Sequence, residues 1–334
     1  MHCAMIRTFG APAEAAEVEN PEPGPDEVEV IVKAAGLCGT DLKIKSGAFD
    51  LPLPLIPGHE IAGEIVAVGP GVPSGRIGER VACYYYSTCE KCERCLTGQE
   101  NLCASVRRLG FERPGGMAER VVCPAAMALP IADEVSYPAA AAAMDALTTP
   151  LRALQQKLRV EPGESVLIVG SGGLGLNAVQ VATALGAHVA VAEPVAERRA
   201  RAVERGAEYA CAPDDADLRA WGRFPPDVVL EVSGTAAGLA LAAGTVRPGG
   251  RVGVLGYQPT TQLSIGSQRL VLDEVNIQGI RGGSLATAAE ALRRLALGEL
   301  TIDIGPILGL SDVNRAYEML QGGKQTGRIV VAPD

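Results

Sequence analysis

Four closely spaced cysteines constrain the fold of this chain more than any other feature of its sequence. They follow the pattern C-x2-C-x2-C-x7-C and are Cys89, Cys92, Cys95 and Cys103. Short C-x2-C steps let a turning backbone bring four thiolates to one Zn²⁺ ion at roughly 2.3 Å. Two disulfides are the alternative, but the spacing and the lack of a recognisable secretion signal disfavour them. The pattern therefore predicts a zinc loop without an open coordination position, so any chemistry must involve other residues.

Length and charge exclude several classes of protein. A chain of 334 residues with 47% hydrophobic content can form two domains with substantial cores. The formal net charge of -9 argues against a nucleic-acid partner, because binding to a phosphate backbone needs a basic surface. No segment holds roughly 18 successive charge-free apolar residues, so we expect no membrane partner and a cytoplasmic location. The cysteines outside the motifs, Cys3, Cys83, Cys123 and Cys211, are expected to be ordinary buried thiols.

Hydrophobic patterning predicts a β-rich part followed by an α/β part. Residues 28–35 and 61–68 are rich in Val, Ile and Ala and are bounded by Gly/Pro clusters, which is typical of strands. From about residue 148, apolar strands alternate with helices, which implies a parallel, doubly wound sheet. The predicted strands of that sheet are residues 166–169, 188–193, 227–232, 251–255 and 275–280. Further on, the pattern predicts an amphipathic helix over 286–297 and a final strand over 328–331.

Three further motifs contain residues with recognisable chemistry. They are GLCGTD at residues 36–41, PGHE at residues 57–60 and GSGGLG at residues 170–175. Together with the four-cysteine loop, and in this order, they make the chain resemble the zinc-dependent alcohol dehydrogenases of the medium-chain dehydrogenase/reductase family. The resemblance covers essentially the whole chain. It implies a GroES-like β-rich catalytic domain over residues 1–147, a Rossmann NAD-binding domain over 148–282, and a return to the catalytic domain over 283–334.

The glycine motif indicates a dinucleotide site. It contains Gly170, Gly172, Gly173, Leu174 and Gly175, and it follows a predicted strand. Glycines there allow a tight turn and a close approach to pyrophosphate, which then meets the amide groups of a helix start. Glu193, at the end of the next predicted strand, can accept hydrogen bonds from the ribose 2′- and 3′-hydroxyls and would repel a 2′-phosphate. NAD(H) is therefore favoured, while Arg198 and Arg199 keep NADP open. By the resemblance, Arg198 stands at the family's usual basic position on this helix, which NAD-dependent members also have.

A second zinc site is implied by Cys38 and His59. A catalytic zinc commonly has three protein ligands and one open position. The resemblance places Asp145 at the third ligand position, and the alternative is an acid at a helix N-terminus, which the macrodipole favours. Glu60 resembles the family residue that moves onto the metal when water leaves, and the alternative is that it only remains beside the ligands. Two zinc ions per chain are therefore expected, one catalytic and one structural.

Residues beside the ligands complete the predicted catalytic site. Asp41 matches the position that orients the histidine ligand through its other ring nitrogen, although a Thr-Asp pair can also cap a helix. Thr40 resembles the hydroxyl that takes the proton of the alcohol. Lys43 stands where many relatives have a relay histidine, so the proton must pass to cofactor ribose hydroxyls and solvent.

Three more assignments follow from the resemblance. Phe49 and Tyr85 match positions in the substrate pocket of the family. An aromatic side chain is a core residue by default, so both residues have a purely structural alternative. Arg328 matches a residue near the cofactor pyrophosphate and the Glu60 carboxylate, and its alternative is an ordinary surface charge.

The implied reaction is hydride transfer between NAD and a primary or secondary alcohol, or the corresponding ketone. A polyol or sugar dehydrogenase with the same metal and cofactor is the alternative function. A zinc-free quinone or enoyl reductase would have no use for Cys38, His59 and the four-cysteine loop together. A catalytically silent NAD-binding regulator is disfavoured by the intact metal ligands. The expected partners are a small alcohol or ketone and further copies of the chain in a homodimer or homotetramer.

Overall fold

Two compact units make up the computed structural model, which describes residues 1–323 and 325–333. The first unit contains Met1–Thr148 and Ser284–Asp334, and the second contains Thr149–Gly283. The chain therefore leaves the first unit and later returns to it. The predicted domain boundaries, after residues 147 and 282, lie one residue from these divisions.

Strands and helices are numbered along the chain. The strands are β1 (His2–Met5), β2 (Glu14–Glu17), β3 (Glu27–Leu37), β4 (Glu60–Val68), β5 (Arg80–Cys83), β6 (Tyr86–Ser87), β7 (Arg107–Arg108), β8 (Arg120–Pro124), β9 (Ala128–Pro130), β10 (Ser165–Val169), β11 (His188–Ala192), β12 (Tyr209–Cys211), β13 (Val228–Glu231), β14 (Arg251–Val254), β15 (Asn276–Gly279), β16 (Ile304–Gly309) and β17 (Arg328–Ala332). The α-helices are α1 (Gly39–Lys45), α2 (Glu93–Leu96), α3 (Tyr137–Ala146), α4 (Thr148–Leu151), α5 (Gly173–Ala184), α6 (Ala196–Glu204), α7 (Asp215–Arg219), α8 (Ala236–Thr245), α9 (Ser267–Leu272), α10 (Leu285–Ala296) and α11 (Val313–Gly322). A π-helical segment, Arg152–Lys157, follows α4. Within residues 1–323 and 325–333, no helix is long and apolar enough to cross a bilayer.

Strand β3 organises the main sheet of the first unit. The sheet has the order β16-β17-β3-β4-β5-β9, and β8 also pairs with β3. Val28, Val30 and Val32 are buried on one face of β3, as the two-residue period of a strand requires. The end of β3 then becomes buried on both faces, and it consists of small residues before Leu37.

The strand register brings distant parts of the chain together at one end of this sheet. Gly36 of β3 lies opposite Glu60 of β4, and Leu37 lies opposite Ile329 of β17. The end of β3 and the starts of β4 and β17 are therefore neighbours. This explains how the motifs at residues 36–41 and 57–60 reach the same place as the last strand of the chain.

The second unit is a six-stranded parallel sheet with the order β12-β11-β10-β13-β14-β15. Strand β10 pairs with β11 on one side and β13 on the other, so the strand order reverses at β10. Ligands bind at the carboxyl ends of strands at such a reversal. The predicted fold class is confirmed, and the five predicted strands are present to within one residue at each end. Strand β12 was missed because three residues are too short to show a hydrophobic period.

Helix α3 brings Asp145 to the main sheet of the first unit. It begins after Ser136, whose side-chain oxygen accepts a hydrogen bond from the Ala139 amide at 3.4 Å. The small residues 140–143 are buried, and the helix contacts β3 and β4. Asp145 lies in the last turn of α3, where the macrodipole disfavours an acid. The alternative interpretation of Asp145 as an acid at a helix N-terminus is therefore wrong.

Candidate metal centres and cofactor site

The four-cysteine loop has the geometry of a tetrahedral zinc site. The Sγ–Sγ distances are 3.5 Å for Cys92–Cys95, 3.6 Å for Cys89–Cys103 and 3.9 Å for Cys89–Cys95. Four thiolates at 2.3 Å from one ion lie about 3.8 Å apart, whereas a disulfide would need about 2.05 Å. All nine cysteines of the chain are free thiols. The loop therefore fits Zn²⁺, and the two-disulfide alternative does not agree with its geometry.

The backbone of this loop favours the thiolate form of Cys89. Cys92 immediately precedes the short helix α2, and its carbonyl oxygen accepts a hydrogen bond from the Leu96 amide at 3.0 Å. The backbone amides of Lys91 and Cys92 donate to Cys89 and lower the pKa of that thiol to about 6. A lowered thiol pKa favours the thiolate, which is the form that binds zinc.

The loop is also tied to the returning part of the first unit. The Glu100 carboxylate accepts a hydrogen bond at 2.7 Å from the amide of Leu285, the first residue of α10. That amide is among those that a helix leaves without an internal partner. This hydrogen bond from the loop therefore stabilises the first turn of α10.

A second cluster of ligand-type side chains lies at the end of the main sheet of the first unit. It contains Cys38, His59, Glu60 and Asp145, all of which are buried. One candidate ligand atom from each residue lies within 4.8 Å of the others, and the Cys38 Sγ is 3.3 Å from His59 Nε2. The structure thus brings together the residues that were predicted to surround a catalytic zinc.

Asp41 has both of the functions that the sequence left as alternatives. Its Oδ2 accepts a hydrogen bond from the Cys38 amide at 2.8 Å, which caps α1. Its Oδ1 lies 3.3 Å from His59 Nδ1, an electrostatic contact somewhat longer than a well-formed hydrogen bond. A carboxylate facing Nδ1 leaves Nε2 available as a ligand. One buried side chain therefore fixes both the cysteine and the histidine.

Acidic side chains outnumber the buried arginine at this cluster. Cys38, Asp41, Glu60 and Asp145 are acidic and buried, and Arg328 is the buried cation that faces them. Burial raises the pKa of the Cys38 thiol, and it raises the pKa of Glu60 to about 8 against the opposing charge of Arg328. Ionised acids with no counter-charge are costly in such a place, and a dication removes that cost. A thiolate, an imidazole and carboxylates are the donors that Zn²⁺ prefers.

His59 responds to the same charges. Burial lowers its pKa, but the negative charges of Asp41 and Cys38 outweigh burial and raise the pKa well above its ordinary value. A metal ion competes with the proton for the ring nitrogen and favours the neutral imidazole. The surroundings of the ring therefore favour a positive charge at His59, which a bound metal ion can supply in place of the proton.

Arg328 lies inside this cluster and only 7% of its side chain is exposed. Its Nη2 is 2.7 Å from Glu60 Oε1 and 3.8 Å from Asp145 Oδ2, and its Nη1 donates to the Leu37 carbonyl at 3.3 Å. The alternative interpretation as a surface charge is therefore wrong. Its predicted position near the Glu60 carboxylate agrees with the structure, whereas its role towards a cofactor remains a prediction.

Thr40 and Lys43 follow Cys38 on α1. The Thr40 amide donates to Cys38 Sγ at 3.2 Å, which holds this half-buried residue beside the ligand. Burial lowers the pKa of Lys43, while the negative charges of Cys38 and Asp145 oppose that effect. The Lys43 ammonium therefore responds to the field of the same cluster.

An aromatic cluster surrounds the His59 ring. The centroid of the His59 ring is 5.1 Å from that of Tyr85 and 5.5 Å from that of Phe111. Phe49 packs edge-on against Phe111, with the ring centroids 5.6 Å apart. Tyr85 also donates from its hydroxyl to the Tyr86 hydroxyl at 3.0 Å. Phe49 and Tyr85 were predicted for this place, but Phe111 was not, because it belongs to no motif. Phe111 lies 52 residues from His59 along the chain, so no sequence signal places it beside that ring.

The glycine turn of the second unit links β10 to α5 as predicted. Gly170 has a φ of +95°, which favours glycine, and Gly172 immediately precedes α5. A Cβ on Gly175 would lie 2.0 Å from the Gly170 carbonyl oxygen, so a side chain there would push the helix away from the turn. The turn therefore leaves amide groups accessible at the start of α5.

Glu193 lies at the end of β11 and is buried beside this turn. Its Oε2 accepts hydrogen bonds from the Ser171 amide at 2.8 Å and the Ser171 hydroxyl at 3.2 Å. Its Oε1 accepts from the Val195 amide at 3.0 Å and lies 3.9 Å from Arg198 Nη1. Arg199 donates to the carbonyl oxygens of Glu193 and Pro194. The remaining acceptor capacity of Glu193 is therefore concentrated on Oε1.

The chain is similar to known proteins along its whole length. Two family models match it, "Alcohol dehydrogenase GroES-like domain" over residues 24–133 and "Zinc-binding dehydrogenase" over residues 173–297. An alcohol dehydrogenase of Geobacillus stearothermophilus is 35% identical over 100% of both chains. An L-threonine 3-dehydrogenase of Pyrococcus horikoshii is 35% identical over 98% of this chain and 97% of its own.

Two solved structures are similar over nearly the full length. An NAD-dependent alcohol dehydrogenase has a TM-score of 0.93 and 29% identity, with 100% of both chains covered. A cobalt- and zinc-bound thermostable alcohol dehydrogenase of Pyrobaculum aerophilum has a TM-score of 0.93 and 31% identity, covering 100% of this chain and 99% of its own. Both units of the fold therefore occur together in known alcohol dehydrogenases.

Proposed function

We propose specific roles for the residues of this chain, which belongs to the zinc-dependent alcohol dehydrogenases of the medium-chain dehydrogenase/reductase family. It is an oxidoreductase that acts on CH-OH donors and uses zinc and NAD. Our proposal is that each chain binds two zinc ions and that only the one near Cys38 takes part in the reaction. The convergence of Cys38, His59 and Asp145 at one buried end of a sheet carries this proposal.

The four-cysteine loop would hold its zinc with Cys89, Cys92, Cys95 and Cys103, and Cys38, His59 and Asp145 would hold the other. Bound zinc supplies a Lewis acid that lowers the pKa of an alcohol, as it lowers that of water from 15.7 to about 7. Cys38 and Asp145 bring two negative charges to the dication, which leaves a neutral site. Glu60 would make the site anionic, so we assign it to the metal only when the substrate position is empty, with neither water nor alcohol in it.

The proton of the alcohol needs an acceptor close to the ligands. We assign this role to the Thr40 hydroxyl, because its amide contact with Cys38 Sγ keeps Thr40 beside the site. A charged lysine has no acceptor, so Lys43 cannot take the proton in that state. Ribose hydroxyls of a bound cofactor and solvent would take the proton onward from Thr40. Asp41 holds His59 and Cys38 in place throughout.

NAD is the cofactor that the second unit favours over NADP. The amides of Gly172, Gly173, Leu174 and Gly175 are assigned to the pyrophosphate. Glu193 Oε1 is assigned to the adenosine ribose, where its charge opposes a 2′-phosphate. Arg198 stays near that carboxylate at 3.9 Å, and we assign it to the adenosine half of the cofactor. Arg328 is assigned to the pyrophosphate as well as to Glu60.

The substrate is proposed to be a primary or secondary alcohol with an apolar group. The rings of Tyr85, Phe111 and Phe49 around His59 support an apolar substrate more than a polyol or sugar, which needs several hydrogen-bonding partners. L-threonine is a second candidate because several relatives are L-threonine 3-dehydrogenases, with 32% to 36% identity.

A substrate panel tests this proposal. Alcohols, diols, polyols, L-threonine and ketones are offered to the purified protein while NADH absorbance is followed, with NADP in parallel. We expect the highest kcat/KM with an apolar secondary or primary alcohol and NAD. Faster turnover of a polyol or of L-threonine would replace the proposed substrate class, and turnover of no alcohol would contradict the assigned reaction.

We also propose that the chain forms a homo-oligomer in the cytoplasm. Strand β15 is the last strand of its sheet, and Val271 and Leu272 beside it are 67% and 70% exposed. Exposed apolar side chains next to a terminal strand are a typical contact surface, and we assign it to a second copy of this chain. Nine free thiols suit a reducing compartment. Light scattering tests the assembly, and a monomeric mass would contradict it.

A further inference from the structure

Gly36 lies directly beneath the side chain of Glu60. The two residues are opposite each other across β3 and β4. A Cβ built on Gly36 would lie 2.0 Å from Glu60 Oε2, 3.0 Å from its Cδ and 3.1 Å from its Cβ. These distances leave no room for a Cβ at position 36 while Glu60 keeps this conformation, because the Glu60 carboxylate occupies the space that a methyl group would need.

Glu60 has two competing positive partners. In the structure its Oε1 lies 2.7 Å from Arg328 Nη2, and its side chain is fully buried. A carboxylate oxygen of Glu60 is also within 4.8 Å of the ligand atoms of Cys38, His59 and Asp145. A small movement therefore decides whether Glu60 belongs to the arginine or to the metal ligands.

We propose that Gly36 is a positioning residue that keeps Glu60 on Arg328 and away from the catalytic zinc. This inference rests on the proposed metal role of Cys38, His59 and Asp145. By leaving room over β3, Gly36 lets the carboxylate lie against Arg328, and the fourth coordination position stays open for the alcohol. Gly36 thus controls access of substrate to the metal without touching either.

A methyl group at position 36 would reverse this arrangement. Gly36 does not have a positive φ, so alanine is compatible with its extended backbone in β3. The shortest contact is to the far end of a flexible side chain, so Glu60 moves rather than the strand. A buried carboxylate that loses its place needs another positive partner, because an unpaired buried charge is costly. The catalytic metal is the partner within reach.

Cobalt substitution reports the change directly. Co²⁺ is exchanged into the purified protein, and the thiolate-to-cobalt absorption that Cys38→Ser removes is assigned to the catalytic site. We expect Gly36→Ala to shift the visible bands of that site. Release of the metal to a chelator should become about 10- to 100-fold slower, the range over which rearranged neighbours change metal affinity. KM for the alcohol should rise because Glu60 competes for its position.

Two controls isolate the contact with Glu60. Gly39→Ala adds a methyl group one residue after Cys38, where a Cβ meets nothing within 4 Å, and it should leave the cobalt spectrum unchanged. Adding Gly36→Ala to Glu60→Ala should leave the spectrum and release rate of Glu60→Ala unchanged, because the obstructed side chain is gone.

Three outcomes would count against the inference. A wild-type spectrum and release rate for Gly36→Ala would overturn it, as would a shift that persists in the Glu60→Ala background. Cobalt that gives no absorption dependent on Cys38 would instead overturn the proposed metal site, and the role of Gly36 with it. The first two results leave the proposed function intact, so the two failures are distinguishable.

Discussion

The two cysteine-containing sites of the first unit differ in how their ligands are assembled. The four cysteines of the loop are close in sequence, three of them are partly exposed, and they offer four identical donors. The Cys38 cluster is buried and is assembled at the end of β3, the start of β4 and α3. It offers a thiolate, an imidazole and carboxylates as donors, and Arg328 pairs with one of the carboxylates. A metal site formed by one short loop can have all four coordination positions filled by protein and can stabilise the fold. A metal site assembled from distant elements can leave one coordination position open for substrate, and its neighbouring residues can set the net charge around the metal.

Serine substitutions at the two sites should separate these roles most strongly. Cys38→Ser removes a ligand of the proposed reactive zinc, and we expect activity to fall roughly 10³-fold or more with little change in thermal stability. Cys89→Ser should lower the free energy of unfolding by about 4 kcal/mol or more, because a structural metal is lost. Steady-state kinetics and thermal unfolding of both variants provide the measurement. Equal stability losses with equal activity losses would remove the distinction.

Asp145 and Glu60 test which carboxylate belongs to the reactive site. Asp145→Ala should weaken zinc binding there by more than about 100-fold, since even residues behind the ligands account for 10- to 100-fold. Glu60→Ala should retain the metal and change mainly the rate of ligand exchange. Metal analysis after dialysis distinguishes the two variants. Retention of both zinc ions in Asp145→Ala, with loss of one in Glu60→Ala, would reverse the assignment.

Thr40 and Lys43 test the proton path at the same site. Thr40→Ala should lower kcat by about 100-fold, the lower end of the effect of losing general-base assistance, with KM for NAD nearly unchanged. Lys43→Ala should cost much less, because its charged ammonium cannot accept the proton. Single-turnover rates with NAD give the comparison. Similar losses in both variants would indicate a different relay.

Glu193 lies in the second unit, so substituting it should change cofactor choice without changing either metal site. Glu193→Ser removes a charge that opposes a 2′-phosphate, so the ratio of kcat/KM for NAD over NADP should fall about tenfold or more. The change should come chiefly from better use of NADP, and zinc content should stay constant. An unaltered protein that is already faster with NADP would contradict the assignment.

The sequence predicted the fold well because its strongest signals are local. Strands β10, β11, β13, β14 and β15 are short apolar runs between helices, and their pattern is visible without tertiary information. Strand β16 was missed because Ile304–Gly309 has no alternation and depends on β17 for its pairing. The position of Asp145 at the end of α3 could not be deduced from a pattern, because its neighbours in space come from β3, β4 and β17.

The same limit explains what was missed at the candidate site. Both functions of Asp41 occur together, which spacing alone could not decide. Burial of Arg328 follows from the pairing of β17 with β3, and no local feature of the sequence indicates it. The close approach of Glu60 to Gly36 is a consequence of strand register, so it becomes visible only in three dimensions.

Counting metal during mild chelation tests the central claim most directly. Zinc per chain, activity and far-ultraviolet circular dichroism are followed in the same samples as a chelator is added. The ion held by three protein ligands should leave before the ion held by four thiolates, because a chelator can bind through the open position. We predict two zinc ions per chain at the start, and loss of activity in step with the first while the circular dichroism is unchanged. A single zinc ion per chain, or full activity after the first ion has left, would contradict the account.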